Sequence, residues 1–215
     1  MQLAVSATVI GLVVLLGSVH LACYYAGRRA LAGALKALPI LLLAWLVSRH
    51  AGGVDPSAGR WVALGLVLSA AGDVSLVLAG GFLAGLSAFF AAHVCYIAAF
   101  APGAMLNGVT MAIGAAIGLG VMGMLAYLWP HVARVRVPVV VYVVALATMG
   151  WCAVARAIGG GGGVAEVAGA VGGLAFLVSD SVLAVDRFAH PFPGAHAVVM
   201  VTYYGAQLLI ARAMF

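Results

Sequence analysis

Long apolar stretches alternate with short polar breaks along almost the whole chain. Eight apolar segments lie between the charged and turn-forming residues, and each is close to the 20 or so residues that a helix needs to cross a bilayer. The segments are residues 3–22, 30–48, 61–79, 82–101, 108–129, 137–157, 166–185 and 197–215. Apolar residues run on continuously within them, whereas the strands of a membrane barrel alternate apolar and polar residues. The pattern predicts an all-α bundle of about eight transmembrane helices in a single membrane domain, residues 1–215.

The breaks between the segments have recognisable turn chemistry. Gly52, Gly53 and Asp55 mark the second break, and the five glycines 159–163 cannot hold a helix and predict a loop. His190 and His196 flank a proline-containing loop before the last segment, and we expect both to be solvated.

Composition limits the class of protein. Hydrophobic residues make up 66% of the chain and charged residues 7%, against about 25% charged in soluble domains. The chain is therefore predicted to be an integral membrane protein among membrane lipids, in the inner cell membrane if its source is a bacterium. Six of the ten basic residues follow odd-numbered segments, which favours both termini outside. The bases form no patch for nucleic acid, and the three cysteines have no C-x-x-C spacing, so neither a metal nor a cofactor is expected.

Two acidic residues stand inside apolar segments. An aspartate at the bilayer centre costs about 2.5–3.5 kcal/mol, and such residues usually face a polar cavity and mark function. Asp73 precedes the end of segment 3 by six residues and Asp180 precedes the end of segment 7 by five. Because both segments run in the same direction, both carboxyl groups should lie roughly 8–9 Å below the same membrane face. The alternative is a purely structural role, in which each acid bonds a neighbouring helix.

Further polar side chains fall near the same face. They are Lys36, His93, Tyr96, Tyr203, Tyr204 and Gln207. Each has a plain alternative role. The lysine could reach back to the lipid headgroups, and the tyrosines could be interfacial aromatic residues. The histidine could be a packing residue, and the glutamine could form a hydrogen bond between helices. Their shared depth instead predicts one polar site beneath one face.

The two halves of the chain resemble each other. At an offset of 107 residues Asp73 aligns with Asp180, Tyr96 with Tyr203 and Gly65 with Gly172. A four-helix unit returns to its starting side, so segments 1–4 and 5–8 could form a parallel repeat.

Four stretches resemble the YhhN family, which includes the vertebrate TMEM86 lysoplasmalogenases. They are GDVSLVL (72–78), FLAGLSAFFAAHVCYIAAF (82–100), GGLAFLVSDSVLAVDRF (172–188) and TYYGAQLLI (202–210), and the most specific motifs are S-D-x-x-L-A-x-x-R-F and H-x-x-Y. The resemblance covers essentially the whole chain and implies a membrane hydrolase. It would cleave the vinyl ether bond of lysoplasmalogen, a lysophospholipid, to a fatty aldehyde and glycerophosphoethanolamine or glycerophosphocholine. The proposed catalytic pair of the family falls on Asp73 and Asp180, while the family's Lys-Pro is loosened here to Lys36-Ala-Leu-Pro39.

The chemistry of that reaction agrees with two buried carboxyl groups. Vinyl ether hydrolysis begins with protonation on carbon, which needs one protonated acid and a second carboxylate for the cation and the water. Lys36 is the only lysine, and its point charge suits the substrate phosphate. Tyr204 and Gln207 could position the glycerol or the water.

Three other functions share some of these features. A proton-coupled small-solute transporter would also use intramembrane acids and repeats, although here both acids lie near one face rather than at the midplane. An intramembrane aspartyl protease would need G-x-G-D and Y-D motifs, which neither Asp73 nor Asp180 completes. A structural scaffold is the remaining alternative.

Overall fold

The structure, a computed structural model, describes residues 7–50 and 56–215. All its regular elements are helical, which confirms the predicted all-α class. The helices are α1 (Ala7–Tyr25), α2 (Arg29–Lys36), α3 (Leu38–His50), α4 (Pro56–Val77), α5 (Phe82–Phe100), α6 (Gly108–Leu128), α7 (Arg136–Gly159), α8 (Val164–Ala184) and α9 (Ala195–Arg212). A 3₁₀ turn (Ala101–Gly103) follows α5, and a π-helical turn (Val185–Ala189) extends α8. Residues 3–6 of the first predicted segment and the predicted turn residues Gly52, Gly53 and Asp55 lie outside the described residues.

Seven helical stretches of the described residues are long and apolar enough to cross a membrane, with α2 and α3 together forming one of them. The eighth, α9, is more polar because it carries Tyr203, Tyr204 and Gln207, and all three side chains are buried in the bundle. Large apolar side chains face outward instead, such as Leu119, which is 65% exposed, and Val201, which is 64% exposed. An apolar outside with polar groups inside is the arrangement of an integral membrane protein.

The second predicted segment, residues 30–48, is interrupted. Helix α2 ends at Lys36, and α3 begins at Leu38. Pro39 explains the break, because proline has no backbone N–H to donate and its ring clashes with the carbonyl group four residues earlier. The interruption places Lys36 at a helix end inside the bundle, where its side chain is 13% exposed.

The two most extensively packed helix pairs are α4 with α5 and α8 with α9. They occupy equivalent places in the two halves of the chain, as the repeat hypothesis requires. A glycine allows close approach in each pair. A Cβ atom on Gly65 would lie 2.4 Å from the ring of Tyr96, and one on Gly172 would lie 2.9 Å from the carbonyl oxygen of Ala206.

One sequence-based expectation about the loops is right and another is wrong. Helix α7 ends at Gly159, and Gly161 and Gly162 have φ angles of 75° and 74°, so the glycine run does form a loop. The expectation that His196 is solvated is wrong. Its ring stacks on Tyr24 at 3.6 Å, and its Nε2 lies 3.2 Å from Nε2 of the buried His20, because the start of α9 packs against α1.

The Gly172→Ala variant should be less stable than the wild type by about 1–3 kcal/mol, the usual cost of overpacking. Its new Cβ would meet backbone atoms of α9, so the two helices must move apart. Gly205→Ala is the matched control, since a Cβ there meets nothing within 4 Å. Thermal unfolding of the purified proteins in detergent measures the difference. Equal midpoints for the two variants would contradict the close packing of α8 on α9.

Candidate active site

A cavity of about 440 Å³ lies among the helices of the bundle. Most of its wall is apolar and comes from α4 to α9. The polar side chains that line it are Lys36, Asp73, Tyr142, Ser179, Asp180, Ser181, Arg187 and Tyr203. The two intramembrane carboxyl groups therefore face the same cavity, and their catalytic role stays a prediction.

Asp73 forms a buried ion pair. The residue is 0% exposed, and Nζ of Lys36 lies 2.9 Å from its Oδ1. The hydroxyl of Tyr203, from α9, donates to Oδ2 at 2.7 Å. Tyr204 positions the backbone of Lys36, since its hydroxyl donates to the carbonyl oxygen of Lys36 at 3.1 Å. The charge of the only lysine is thus engaged by one of the two acids.

Asp180 has a neutral hydrogen-bond partner instead of a cation. Its Oδ2 accepts a short hydrogen bond from the hydroxyl of Tyr142, on α7. The Tyr142 oxygen also lies 3.0 Å from Nε2 of His93, which is 0% exposed. Because the Tyr142 hydroxyl donates its hydrogen bond to Asp180, its oxygen must accept a hydrogen bond from Nε2–H of His93. Within the described residues no cation lies within ion-pair distance of Asp180.

The two acids occupy equivalent repeat positions but have different partners. Each takes one partner from the preceding membrane segment of its own half: Lys36 for Asp73 and Tyr142 for Asp180. At the offset of 107 residues, Lys36 aligns with the residue next to Tyr142. The same position thus provides a cation in one half and a phenol in the other.

The remaining predicted binding residues lie behind the cavity wall. The hydroxyl of Tyr96 donates to Oε1 of Gln207 at 2.8 Å and lies 3.4 Å from the hydroxyl of Ser69. Of the six residues predicted to bind substrate, Lys36 and Tyr203 line the cavity, and His93 reaches it through Tyr142. The cavity lining does not include Tyr96, Tyr204 or Gln207. Their position suits residues that hold the helices around the site rather than residues that contact substrate.

Sequence reasoning missed Tyr142 and did not assign Arg187 to the site. Tyr142 is the one polar side chain in the run from Val137 to Leu146, a signal of the kind that singled out Asp73. The repeat offset, which places it beside the equivalent of Lys36, is a second signal.

The ranges that the structure describes, residues 7–50 and 56–215, contain His, Cys, Asp and Glu side chains that could in principle bind a metal. No group of three or more His, Cys, Asp or Glu side chains there could hold a metal ion.

The Lys36→Met variant should lose stability, because it leaves the Asp73 carboxylate buried without its cation. Removing one partner of a buried ion pair costs about 3–5 kcal/mol. The added substitution Asp73→Asn removes the unpaired charge and should restore most of that loss. Asp180→Asn in the same Lys36→Met background is the matched control and should restore none. Thermal unfolding in detergent measures all three, and equal restoration by the two Asn substitutions would argue against the pair.

Comparison with known proteins places the chain among relatives that match it over most of its length. The YhhN family model matches residues 31–214. The chain is 38% identical over 182 residues to the human protein named lysoplasmalogenase TMEM86B, which is 83% of this chain and 73% of that protein. It is 36% identical over 187 residues to bovine lysoplasmalogenase TMEM86A, with 82% and 75% covered. It is 31% identical over 198 residues to a lysoplasmalogenase of Mycobacterium bovis, with 88% and 72% covered. No solved structure matches the chain. The protein belongs to the YhhN family.

Proposed function

We propose that this protein is a lysoplasmalogenase, a membrane hydrolase that cleaves the vinyl ether bond of a lysoplasmalogen. The products are a fatty aldehyde and glycerophosphoethanolamine or glycerophosphocholine. The observation that carries the proposal is that Asp73 and Asp180 line one largely apolar cavity inside a membrane bundle. The relatives named lysoplasmalogenase, at 31% to 38% identity over most of the chain, support it.

The reaction needs one proton donor and one proton acceptor. The donor transfers its proton to the alkenyl carbon that is β to the ether oxygen, which leaves an oxocarbenium ion. Water then adds to the cationic carbon and gives up a proton, and the hemiacetal breaks into aldehyde and alcohol. General acid–base groups of this kind contribute about 10²–10⁴-fold each.

The surroundings of the two acids support a division of these roles. Asp73 lies against the ammonium group of Lys36, so it acts as the carboxylate that stabilises the oxocarbenium ion and accepts the proton from water. Asp180 has no such cation in the described part of the chain, so it acts as the protonated donor. Tyr142 fixes the orientation of the Asp180 carboxyl group, and His93 fixes Tyr142.

The shape and polarity of the cavity suit a single-chain amphiphile. Its apolar wall includes Ile117, Val121, Met124 and Leu125 of α6 and also Leu177 of α8. An alkenyl tail can lie against these side chains while the ether bond stays near the two acids. Moving the tail out of the bilayer removes about 0.8 kcal/mol of favourable burial per CH₂ group, and burial in the apolar cavity restores about the same amount.

The Asp73→Asn and Asp180→Asn variants should each lose most of their turnover, by about 10²–10⁴-fold, because asparagine cannot exchange a proton. The double variant should lose little more than the worse single variant, since the two groups act as a unit. Purified protein in detergent is given lysoplasmalogen, and aldehyde release is followed with a coupled dehydrogenase. Both variants should remain folded and inserted, because the long Lys36 side chain, 13% exposed, can reach the surface when its partner is neutral.

Two results would count against this mechanism. Activity above about a tenth of wild type in both Asn variants would exceed what loss of an acid–base group allows. Solute movement into liposomes without aldehyde release would support the transporter alternative.

The Tyr142→Phe variant should lower kcat by about 10- to 100-fold, because the donor carboxyl group loses the hydrogen bond that orients it. Tyr96→Phe is the matched control. It removes a buried tyrosine hydroxyl that bonds Gln207 rather than an acid, so its kcat should change by less than about threefold. The same aldehyde assay compares the two. An equal loss in both would mean that Tyr142 acts only through packing.

A further inference from the structure

Arg187 lines the same cavity as the two acids but is itself exposed. It lies on the π-helical turn Val185–Ala189 that follows α8. A side chain that is both exposed and part of the cavity lining marks one place where the cavity opens. The proposed acid–base chemistry uses Asp180 of the motif S-D-x-x-L-A-x-x-R-F and leaves Arg187 without a role.

The guanidinium group of Arg187 is positioned by aromatic rings. Its Cζ lies 4.2 Å from the ring centroid of Phe82, and Phe188 packs edge-on against the same ring at 5.6 Å. A cation–π contact holds the group in place without using its N–H donors. In the part of the chain that the structure describes, no carboxylate lies within ion-pair distance of Arg187. The neighbouring Asp186 instead accepts a hydrogen bond from the backbone N–H of Phe192 at 3.2 Å.

The other cations near this end of the bundle are less suited to an anionic ligand. Lys36 is the second cation in the cavity lining, and its charge is engaged by Asp73. Arg29 lies over Tyr24 at 5.3 Å and Arg136 over Trp129 at 4.5 Å, and neither lines the cavity. Arg187 is therefore the cavity cation that can offer its hydrogen bonds to a ligand.

Asp180 and Arg187 are close enough along the helix for their side chains to reach opposite ends of one glycerol unit. Arg187 follows Asp180 by seven residues, which is about 10 Å along a helix axis. An extended glycerol spans about 6 Å from the vinyl ether oxygen to the phosphorus, by standard bond lengths. The two side chains and their contacts with the substrate can cover the difference. We infer that Arg187 binds the phosphate group of the lysophospholipid with its forked donors at the cavity opening, a role that rests on the proposed function.

The test compares substrates with and without the phosphate. We would measure kcat/KM for alkenyl-glycerophosphoethanolamine and for alkenylglycerol, and take their ratio. Arg187→Gln should lower this ratio by about 10- to 100-fold, the value of a charge-assisted bidentate contact. Arg187→Lys should lower it less, because lysine keeps the charge and loses the fork. Arg134→Gln, an exposed arginine in the turn before α7 that does not line the cavity, is the matched control and should keep the wild-type ratio.

Two outcomes would overturn the inference. The first is an equal loss on both substrates in Arg187→Gln, which would mean a structural role. The second is an unchanged ratio in Arg187→Gln.

A binding measurement separates this inference from the proposed function. The 1-O-alkyl analogues have a saturated ether that is not a vinyl ether, so their Kd values do not depend on turnover. Arg187→Gln should weaken the binding of alkyl-glycerophosphoethanolamine by about 10- to 100-fold relative to alkylglycerol. If the wild type releases no aldehyde from any alkenyl lipid, the proposed function fails, and this ratio of Kd values alone decides the role of Arg187. An unchanged Kd ratio rejects the phosphate contact whatever the enzyme assay gives.

Discussion

A carboxylate that leaves water for the interior of a membrane bundle must find both its counter-charge and its hydrogen bonds within the protein. Much of the local structure around Asp73 meets this requirement. The break between α2 and α3 at Ala37 brings Lys36 into the bundle, and Tyr204 holds the backbone at that break. Helix α9 supplies Tyr203 to the second carboxylate oxygen.

The two halves of the chain meet this requirement in different ways, and the proposed acid–base mechanism depends on that difference. Asp73 and Asp180 are equivalent at the repeat offset, yet one has an ammonium partner and the other a phenol. Two carboxyl groups in identical surroundings would compete for one proton without a fixed order. Unlike surroundings push the two groups toward opposite protonation states, which is how one site provides an acid and a base together.

Much of the fold and part of the site could be predicted from the sequence, because apolar length and the depth of a charged residue are one-dimensional properties. The depth of Asp73 and Asp180 on parallel helices predicted a site beneath one face, and both acids line one cavity. The rotation of a helix about its axis could not be predicted, because a uniformly apolar helix has no polar face to read. That is why the Lys36–Asp73 pair was not foreseen, and why Tyr96 and Gln207 were expected in the cavity although they bond each other behind its wall.

Asp180 and Arg187 lie on one continuous helical stretch, so this stretch would carry both the proposed proton donor and the proposed phosphate-binding cation. Helix α8 provides the acid, and the π-helical turn that extends it provides the cation at the opening. A π-helical turn inserts an extra residue into the helix and rotates the side chains that follow it, and such turns are frequent at functional sites. Here the side chains that follow Ala184 include Arg187 and Phe188, both of which pack on Phe82 at the start of α5. Because one stretch carries both residues, backbone geometry sets the spacing of their Cα atoms, and packing on Phe82 of α5 then positions the guanidinium group. A fixed separation suits a substrate whose reacting bond and charged group are themselves a fixed number of bonds apart.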